Sequence, residues 1–256
     1  MLRLHGRPGQ QLRWSIGRVT VNGDRLSVVI PCLDEAAVIQ DLLKSLQPLR
    51  DAGHELILVD GGSRDATVNL AVPYVDRLIY SQRGRARQLN EGARAASGDI
   101  FWFLHADSTI CCDAIDAIAS TLTSVESCWG RFDVALSGRQ RGLRLVEFMM
   151  NWRSRVTGIA TGDQGIFVRR HAFFSAGCFP EIPLMEDIAL SKRLKKMARP
   201  ECLRQRIGTS SRRWERHGIL ATILRMWWLR LAYALGADPG KLAQLYRQCS
   251  SSTQNS

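Results

Sequence analysis

The sequence predicts an α/β protein with a mostly parallel central sheet and helices on both faces. Short apolar or β-branched runs recur along the first half: SVVIP from Ser27, HELILVD from His54, DRLIY from Asp76 and DIFWFLH from Asp99. Each of the first three leads into a stretch of helical periodicity, and strand and helix alternating at this spacing imply right-handed crossover units. The strand ends carry acidic and small polar residues, as befits the carboxyl edge of a parallel sheet where ligands collect.

Taken in order, residues up to Asp24 lack the apolar core of a signal peptide and read as a poorly packed extension. After the first strand, AAVIQDLLKSLQPL spaces its apolar residues as one amphipathic helix would. The second strand leads into a helix through ATVNLAV, the third into a helix in RARQLNEGARAAS, and the fourth ends in His105 and Asp107. Beyond Ala117 the rhythm changes. WGRFDVALSG, GDQGIFVRR and the helix DIALSKRLKKMA read as a mixed second half laid against the first. The expected division is an extension over 1–25, a main domain over 26–214, amphipathic C-terminal helices over 215–249 and a frayed tail over 250–256.

With 256 residues, 45% of them hydrophobic and 23% charged, the chain can bury one large core and is not disordered at large. A net charge of +11 favours anionic partners, whether nucleic acid, anionic lipid or phosphate-bearing small molecules, and is equally compatible with a plain solvated basic surface. The arginines are scattered and no nucleic-acid motif is found, so no nucleic-acid partner is expected. The 7 cysteines form no CxxC and no zinc spacing, which fits a reducing cytoplasm.

Acidic residues close three strand ends: Asp34 and Glu35 in PCLDE, Asp60 and Asp65 in VDGGSRD, and Asp107 in HADS. One such end reads as a helix cap. Together they predict convergence on one crevice, where carboxylates accept from a base or ribose and hold a divalent metal on a diphosphate. Gly61 and Gly62 allow a tight turn, but no GKS or GKT follows and GxGxxG is missing, so neither a Walker loop nor a dinucleotide fingerprint is present.

The ordered set SVVIPCLDE, LILVDGGSRDAT, RGRARQLNEGARAASGDIFWFLHADS and LMEDIALSKRL, spread over Leu26 to Trp214, resembles the inverting family 2 glycosyltransferases with the A-type, nucleotide-diphospho-sugar transferase fold. GDQGIFVRR and TSSRRWERHG are similar to a bacterial branch of that family associated with arsenosugar biosynthesis. The resemblance implies transfer of a sugar from a nucleoside-diphosphate sugar, UDP-linked, to an acceptor hydroxyl. It implies Pro31, Asp34 and Glu35 along the nucleotide, Asp60 and Gly61 at the base, and Arg83 and Arg85 at the base or diphosphate. Asp107 would hold Mg²⁺ or Mn²⁺, and Asp187 in MED would be the catalytic base, with Glu186 beside it.

The sequence also departs from the family pattern. His105, Ala106 and Asp107 keep only the last carboxylate of a DxD motif. One carboxylate suffices if phosphate oxygens and water complete the shell, and His105 is either an added Mn²⁺ or phosphate contact or a histidine bonded to nearby backbone. The QxxRW motif survives only as Arg213 and Trp214, with Ser210 at the Gln position, which argues against a processive polymer synthase. Asp163 and Gln164, between glycines, are either acceptor contacts or a plain turn, and Glu186 and Asp187 also suit the N-terminus of a helix.

Gly218 to Gly236 approaches the ~20 apolar residues of a membrane span, but Arg225 and Arg230 interrupt it. With Trp227 and Trp228 it suits a helix lying on an anionic membrane surface, its arginines snorkelling to phosphates, or one packed on the domain or on a second copy in a homodimer. Arsenosugar, polyprenyl-phosphate and glycolipid acceptors all fit these residues. Two rivals stand beside this reading. A nucleotidyltransferase would need a glycine-rich basic loop, which PCLDEAAV is not, and a non-enzymatic basic binding module would rest on charge alone.

Overall fold

The computed structural model describes residues 24–111, 113–122, 127–211, 214 and 218–251. Seven strands form one sheet: β1 (Leu26–Cys32), β2 (Glu55–Asp60), β3 (Arg77–Tyr80), β4 (Ile100–Phe103), β5 (Trp129–Leu136), β6 (Phe167–Arg169) and β7 (Glu201–Thr209), in the order β3-β2-β1-β4-β6-β5-β7. Only β6 runs against its neighbours, and the remaining pairs are parallel. The expected mixed α/β class with a mostly parallel sheet is the observed one.

The central strands are covered on both sides, so they read as unbroken apolar runs rather than alternating ones. Val28 and Ile30 of β1, with Leu56, Leu58 and Trp102, face one core; Val29, Ile57, Val59, Phe101 and Phe103 face the other. The first core is closed by α1 (Ile39–Ser45), α2 (Gln47–Asp51), α3 (Thr67–Ala71) and α5 (Ala114–Thr121), the second by α4 (Arg85–Ala95), α7 (Arg170–Ser175) and α8 (Glu186–Leu194). Helix α4 lies unusually close to the sheet. A Cβ on Gly92 would stand 2.4 Å from Val29 Cγ1 and 2.9 Å from Val59 Cγ2, so no larger residue fits that crossing.

Several elements differ from expectation: α5, α7 and β7 were not anticipated, and two further differences have a physical reason. The single helix anticipated over AAVIQDLLKSLQPL is two helices meeting at Leu46, because Pro48 has no N–H to give Lys44 and its ring crowds that carbonyl. The 17-residue helix α6 (Arg141–Thr157) was not anticipated as an element. Its buried residues Leu143, Val146, Glu147, Asn151 and Ser154 mix polar with apolar side chains, which blurs the helical stripe.

Helices α9 (Ile219–Ala234) and α10 (Pro239–Ser251) fold back over the body, where Leu229 and Leu242 pack on Met185 and Ile188 at the start of α8. Among the described residues no helix is long and apolar enough to cross a membrane. The expected extension, up to Gly23, Arg213 and the last 5 residues lie outside the described residues.

Candidate active site

Strand β6 brings the turn Gly162–Gln164 to the sheet edge already occupied by β4. The two pair antiparallel, Trp102 opposite Phe167, and Phe103 N–H donates to the Ile166 carbonyl at 2.9 Å, so the residues after β4 and those before β6 emerge together. A cleft of about 1420 Å³ opens there. One wall carries Pro31, Glu35, Arg83, Arg85 and Asp107; the other carries Arg153, Asp163, Asp187, Trp214 and Arg230.

Behind the first wall, the loops after β1 and β2 are braced by their own carboxylates. Asp60 accepts from Gly62 N–H at 3.0 Å, from Ser63 N–H at 3.1 Å and from the Ser63 hydroxyl at 2.5 Å. Asp34 accepts from Arg64 N–H at 2.7 Å, and Asp65 accepts from Ala36 N–H at 3.0 Å and from the Thr67 hydroxyl. The Thr67 hydroxyl bond is the first cause holding the Asp65 carboxyl below its ordinary range. The expected convergence of acidic strand ends on the crevice is therefore narrower than the sequence suggested. Glu35 and Asp107 line the cleft and Asp34, Asp60, Gly61 and Asp65 do not: the three aspartates hold donors of the two loops, as short carboxylates at a turn do, and Gly61 is buried beside Gln88.

Asp107 differs from these. It is half-buried, lines the cleft, and makes no hydrogen bond or ion pair among the described residues. No group of three or more His, Cys, Asp or Glu among the described residues could hold a metal. The residues thus fit a hard divalent ion only when a bound diphosphate supplies further oxygen ligands, with Asp107 as the protein's carboxylate. His105 is engaged: its Nδ1 lies 2.9 Å from Arg85 Nη2 and 3.2 Å from Asp163 Oδ1. A neutral ring nitrogen accepts from Arg85 or donates to Asp163, not both, so its tautomer selects the partner. Its Nε2 faces Gly162, where an added Cβ would stand 2.6 Å away and 2.8 Å from Arg85 Nη2, so a larger residue here would displace the His105 ring or the Arg85 guanidinium.

The MED segment sits where α8 begins. Met185 has φ 70, a left-handed backbone costly for a bulky residue, and its burial against Ile188, Leu229 and Leu242 holds it there. Glu186 is buried, and loss of water is the main cause raising its pKa, followed by the charge of Asp187; Arg85, with Nε 3.6 Å from Oε1, pulls the other way. Asp187 points into the cleft with each oxygen anchored, Oδ2 accepting from Gly162 N–H at 2.7 Å and Oδ1 from Ile188 N–H at 2.7 Å. A carboxylate so fixed keeps lone pairs free for a proton from a bound hydroxyl.

A family model described as "Glycosyl transferase family 2" matches residues 27–173. The chain belongs to glycosyl transferase family 2. Among curated relatives, the glucosyl-3-phosphoglycerate synthase of Mycobacterium tuberculosis is 34% identical over 113 residues, covering 40% of this chain and 34% of that protein. The poly-beta-1,6-N-acetyl-D-glucosamine synthase of Staphylococcus aureus is 29% identical over 117 residues, covering 41% of this chain and 28% of that one. The chain spans about a third or less of the length of these curated relatives. Solved structures share the fold. S. aureus TarS 1–349 aligns with a TM-score of 0.59 at 19% identity over 73% of this chain and 60% of that one. The M. tuberculosis synthase in complex with Mg²⁺ and uridine diphosphate aligns with a TM-score of 0.56 at 23% identity over 73% and 71%.

On this family 2 framework the remaining expected residues separate. Asp163 lines the cleft against His105, and Trp214 lines it while packing beside Leu136 and Val146. Gln164 does not reach the cleft as an acceptor contact. It is fully buried, and its Oε1 accepts from Thr161 N–H at 3.1 Å to close the turn. Arg153 and Arg230 are cleft residues outside the expected set. Arg153 was missed with α6, and Arg230 was read as a snorkelling arginine although it turns inward. The available signal was positional: Arg153 stands three residues after Met150 and seven after Val146, in a helical row otherwise apolar.

Proposed function

We propose that the chain transfers a sugar from a nucleoside-diphosphate sugar, UDP-linked, to an acceptor hydroxyl with inversion at the anomeric carbon. The observation that carries this is Asp107, an unpartnered half-buried carboxylate, sharing one cleft with the anchored carboxylate of Asp187. Pro31, Glu35, Arg83, Arg85 and Asp107 make the donor wall, where positive charge meets the diphosphate as it departs. Asp60 and Gly61 shape that wall from behind; for Asp60 to accept from a base it must exchange one of its bonds to Ser63. Asp107 would hold Mg²⁺ or Mn²⁺, and the ion, when bound, supplies charge compensation for the leaving diphosphate.

In the single displacement, Asp187 takes the proton of the acceptor hydroxyl, the acceptor oxygen bonds to the anomeric carbon, and the bond from that carbon to the diphosphate oxygen breaks on the opposite face. Glu186 stands buried beside Asp187, where loss of water raises its pKa and the Arg85 guanidinium pulls the other way. The similarity of GDQGIFVRR and TSSRRWERHG to the arsenosugar-associated branch supports an arsenosugar acceptor, with polyprenyl-phosphate and glycolipid acceptors as the alternatives.

The test is calorimetric binding of UDP, GDP and ADP with and without Mn²⁺. UDP binding that requires the metal and weakens by about tenfold or more in Asp107→Ala is the expected result. No binding of any of the three by folded protein would remove the reading.

A second component, peripheral attachment to an anionic membrane, rests on one observation. Leu220, Leu224, Trp227, Leu231 and Leu235 on α9 and Leu145, Phe148, Trp152 and Val156 on α6 are all exposed, on a chain of net charge +11. Co-sedimentation with anionic but not zwitterionic vesicles, lost in Trp227→Ser/Leu231→Ser, is expected. A salt-independent dimer with no vesicle binding would assign these faces to a second copy instead.

A further inference from the structure

The cleft wall opposite Asp107 contains two half-buried arginines with shielded donors to spare. Nε and Nη2 of Arg153 and Nε of Arg230 are shielded from solvent with no hydrogen-bond partner, and neither side chain is ion-paired among the described residues. The single contact of Arg153 is a long one, Nη1 to the Ile159 carbonyl at 3.4 Å. Burial and then the neighbouring Arg230 push the Arg153 pKa down to about 10, and burial likewise lowers that of Arg230, so each charge is felt by its surroundings as a cost. Met149, Met150, Ile223 and Met226 line the same cleft and offer no strong acceptor.

Buried N–H groups of this kind are costly to leave unpaired, and arginine is the residue suited to forked recognition of an oxyanion. The carboxylates that act on the pair are Asp187 and Asp163, on the acceptor side, and not Asp107 or Glu35 on the donor wall. Two fixed positive charges match the charge of about −2 on a phosphate monoester at neutral pH.

We infer that Arg153 and Arg230 form a phosphate subsite that recognises a phosphate group carried by the acceptor, and so orients its hydroxyl toward Asp187. This rests on the transferase reading above for the word acceptor, and on the orphaned donors alone for the phosphate. The phosphate belongs either to a soluble phosphate ester or to a lipid headgroup, which share this chemistry.

The full chain, wild type, Arg153→Met and Arg230→Met, would be melted with inorganic phosphate or glycerol 3-phosphate at constant ionic strength, with glycerol and sodium chloride as controls. Binding of UDP with Mn²⁺ would be measured on the same samples. Phosphate is expected to raise the Tm of wild type but of neither variant, with glycerol 3-phosphate affinity falling about tenfold or more and UDP affinity changing by less than about twofold. Without ligand the variants are expected to melt no lower than wild type, because an unpaired buried charge is gone. If a methionine variant does not fold, Arg230→Lys keeps the charge without the fork, and weakened glycerol 3-phosphate binding is expected there too.

Stabilisation by glycerol 3-phosphate marks a soluble ester. Binding to phosphatidic acid vesicles over phosphatidylcholine vesicles, lost in Arg230→Met, marks a lipid source. A wild-type Tm indifferent to phosphate, and vesicle binding unchanged by the variant, would overturn the inference. Equal weakening of UDP and glycerol 3-phosphate would also overturn it, by assigning the arginines to the donor diphosphate. Phosphate binding retained where UDP binding fails would keep the subsite and remove the transferase reading.

Discussion

Around the loops after β1 and β2 the carboxylates of Asp34, Asp60 and Asp65 accept from donors of those same two loops, whereas across the cleft Arg153 and Arg230 hold shielded N–H groups with no acceptor. The first arrangement spends its polar groups on shape, so the loops after β1 and β2 are set before any ligand arrives. The second leaves polar groups waiting, which lowers stability until something of opposite charge completes them. A single cleft therefore combines a preformed side with an unfinished one, and the sequence of the unfinished side is what selects a partner.

Three substitutions test this contrast, from the largest effect to the smallest. Asp187→Asn keeps an acceptor for Gly162 N–H but loses the base, so turnover should fall by about 10²- to 10⁴-fold with UDP affinity unchanged. A variant that keeps turnover within a few fold in a coupled UDP-release assay would move the base elsewhere. Asp60→Ala strips acceptors from Gly62 and Ser63, and urea unfolding should show a loss of about 3 kcal/mol, with Asp60→Asn recovering most of it. Unchanged stability would mean that these bonds do not brace the wall.

Glu186→Gln has the smallest effect and shows itself through pH. The folded-state pKa of Glu186 lies above the ordinary 4.5, so folding favours its protonated form. Its contribution to stability is fully present below pH 4.5 and is lost as pH rises through the raised value. Glutamine cannot ionise, so the variant should gain stability relative to wild type as pH rises across that window and match it in acid. Parallel pH profiles of Tm for the two proteins would show that Arg85 already cancels the cost of burial.

Much of the cleft's lining was legible in the sequence. Strands β1, β2 and β4 are covered on both faces and so write themselves as unbroken apolar runs, and Arg85, His105, Asp107 and Asp187 stand at element ends where short motifs mark them. The fates of Asp60 and Gln164 were not legible, because whether a polar side chain faces a ligand or its own turn depends on geometry that spacing does not encode. The opposite wall was harder still. Arg153 is one arginine in RGLRLVEFMMNWRSRVT, and Arg230 one in a Trp-rich helix; only the packing of α6 and α9 around the cleft distinguishes them from solvent-facing arginines. The break of α1 at Pro48 could have been read, since proline in a helical run is a local signal.

The antiparallel insertion of β6 has a consequence for how this chain can change over time. Because the turn Gly162–Gln164 that carries Asp163 leads into β6, which is locked in register with β4, the spacing between Asp163 and Asp107 is set largely by the sheet. Residues on α6 and α9 can then be exchanged to suit a different acceptor while the reacting geometry is inherited intact, so that new specificity is reached by revising two helices and leaving the catalytic frame alone.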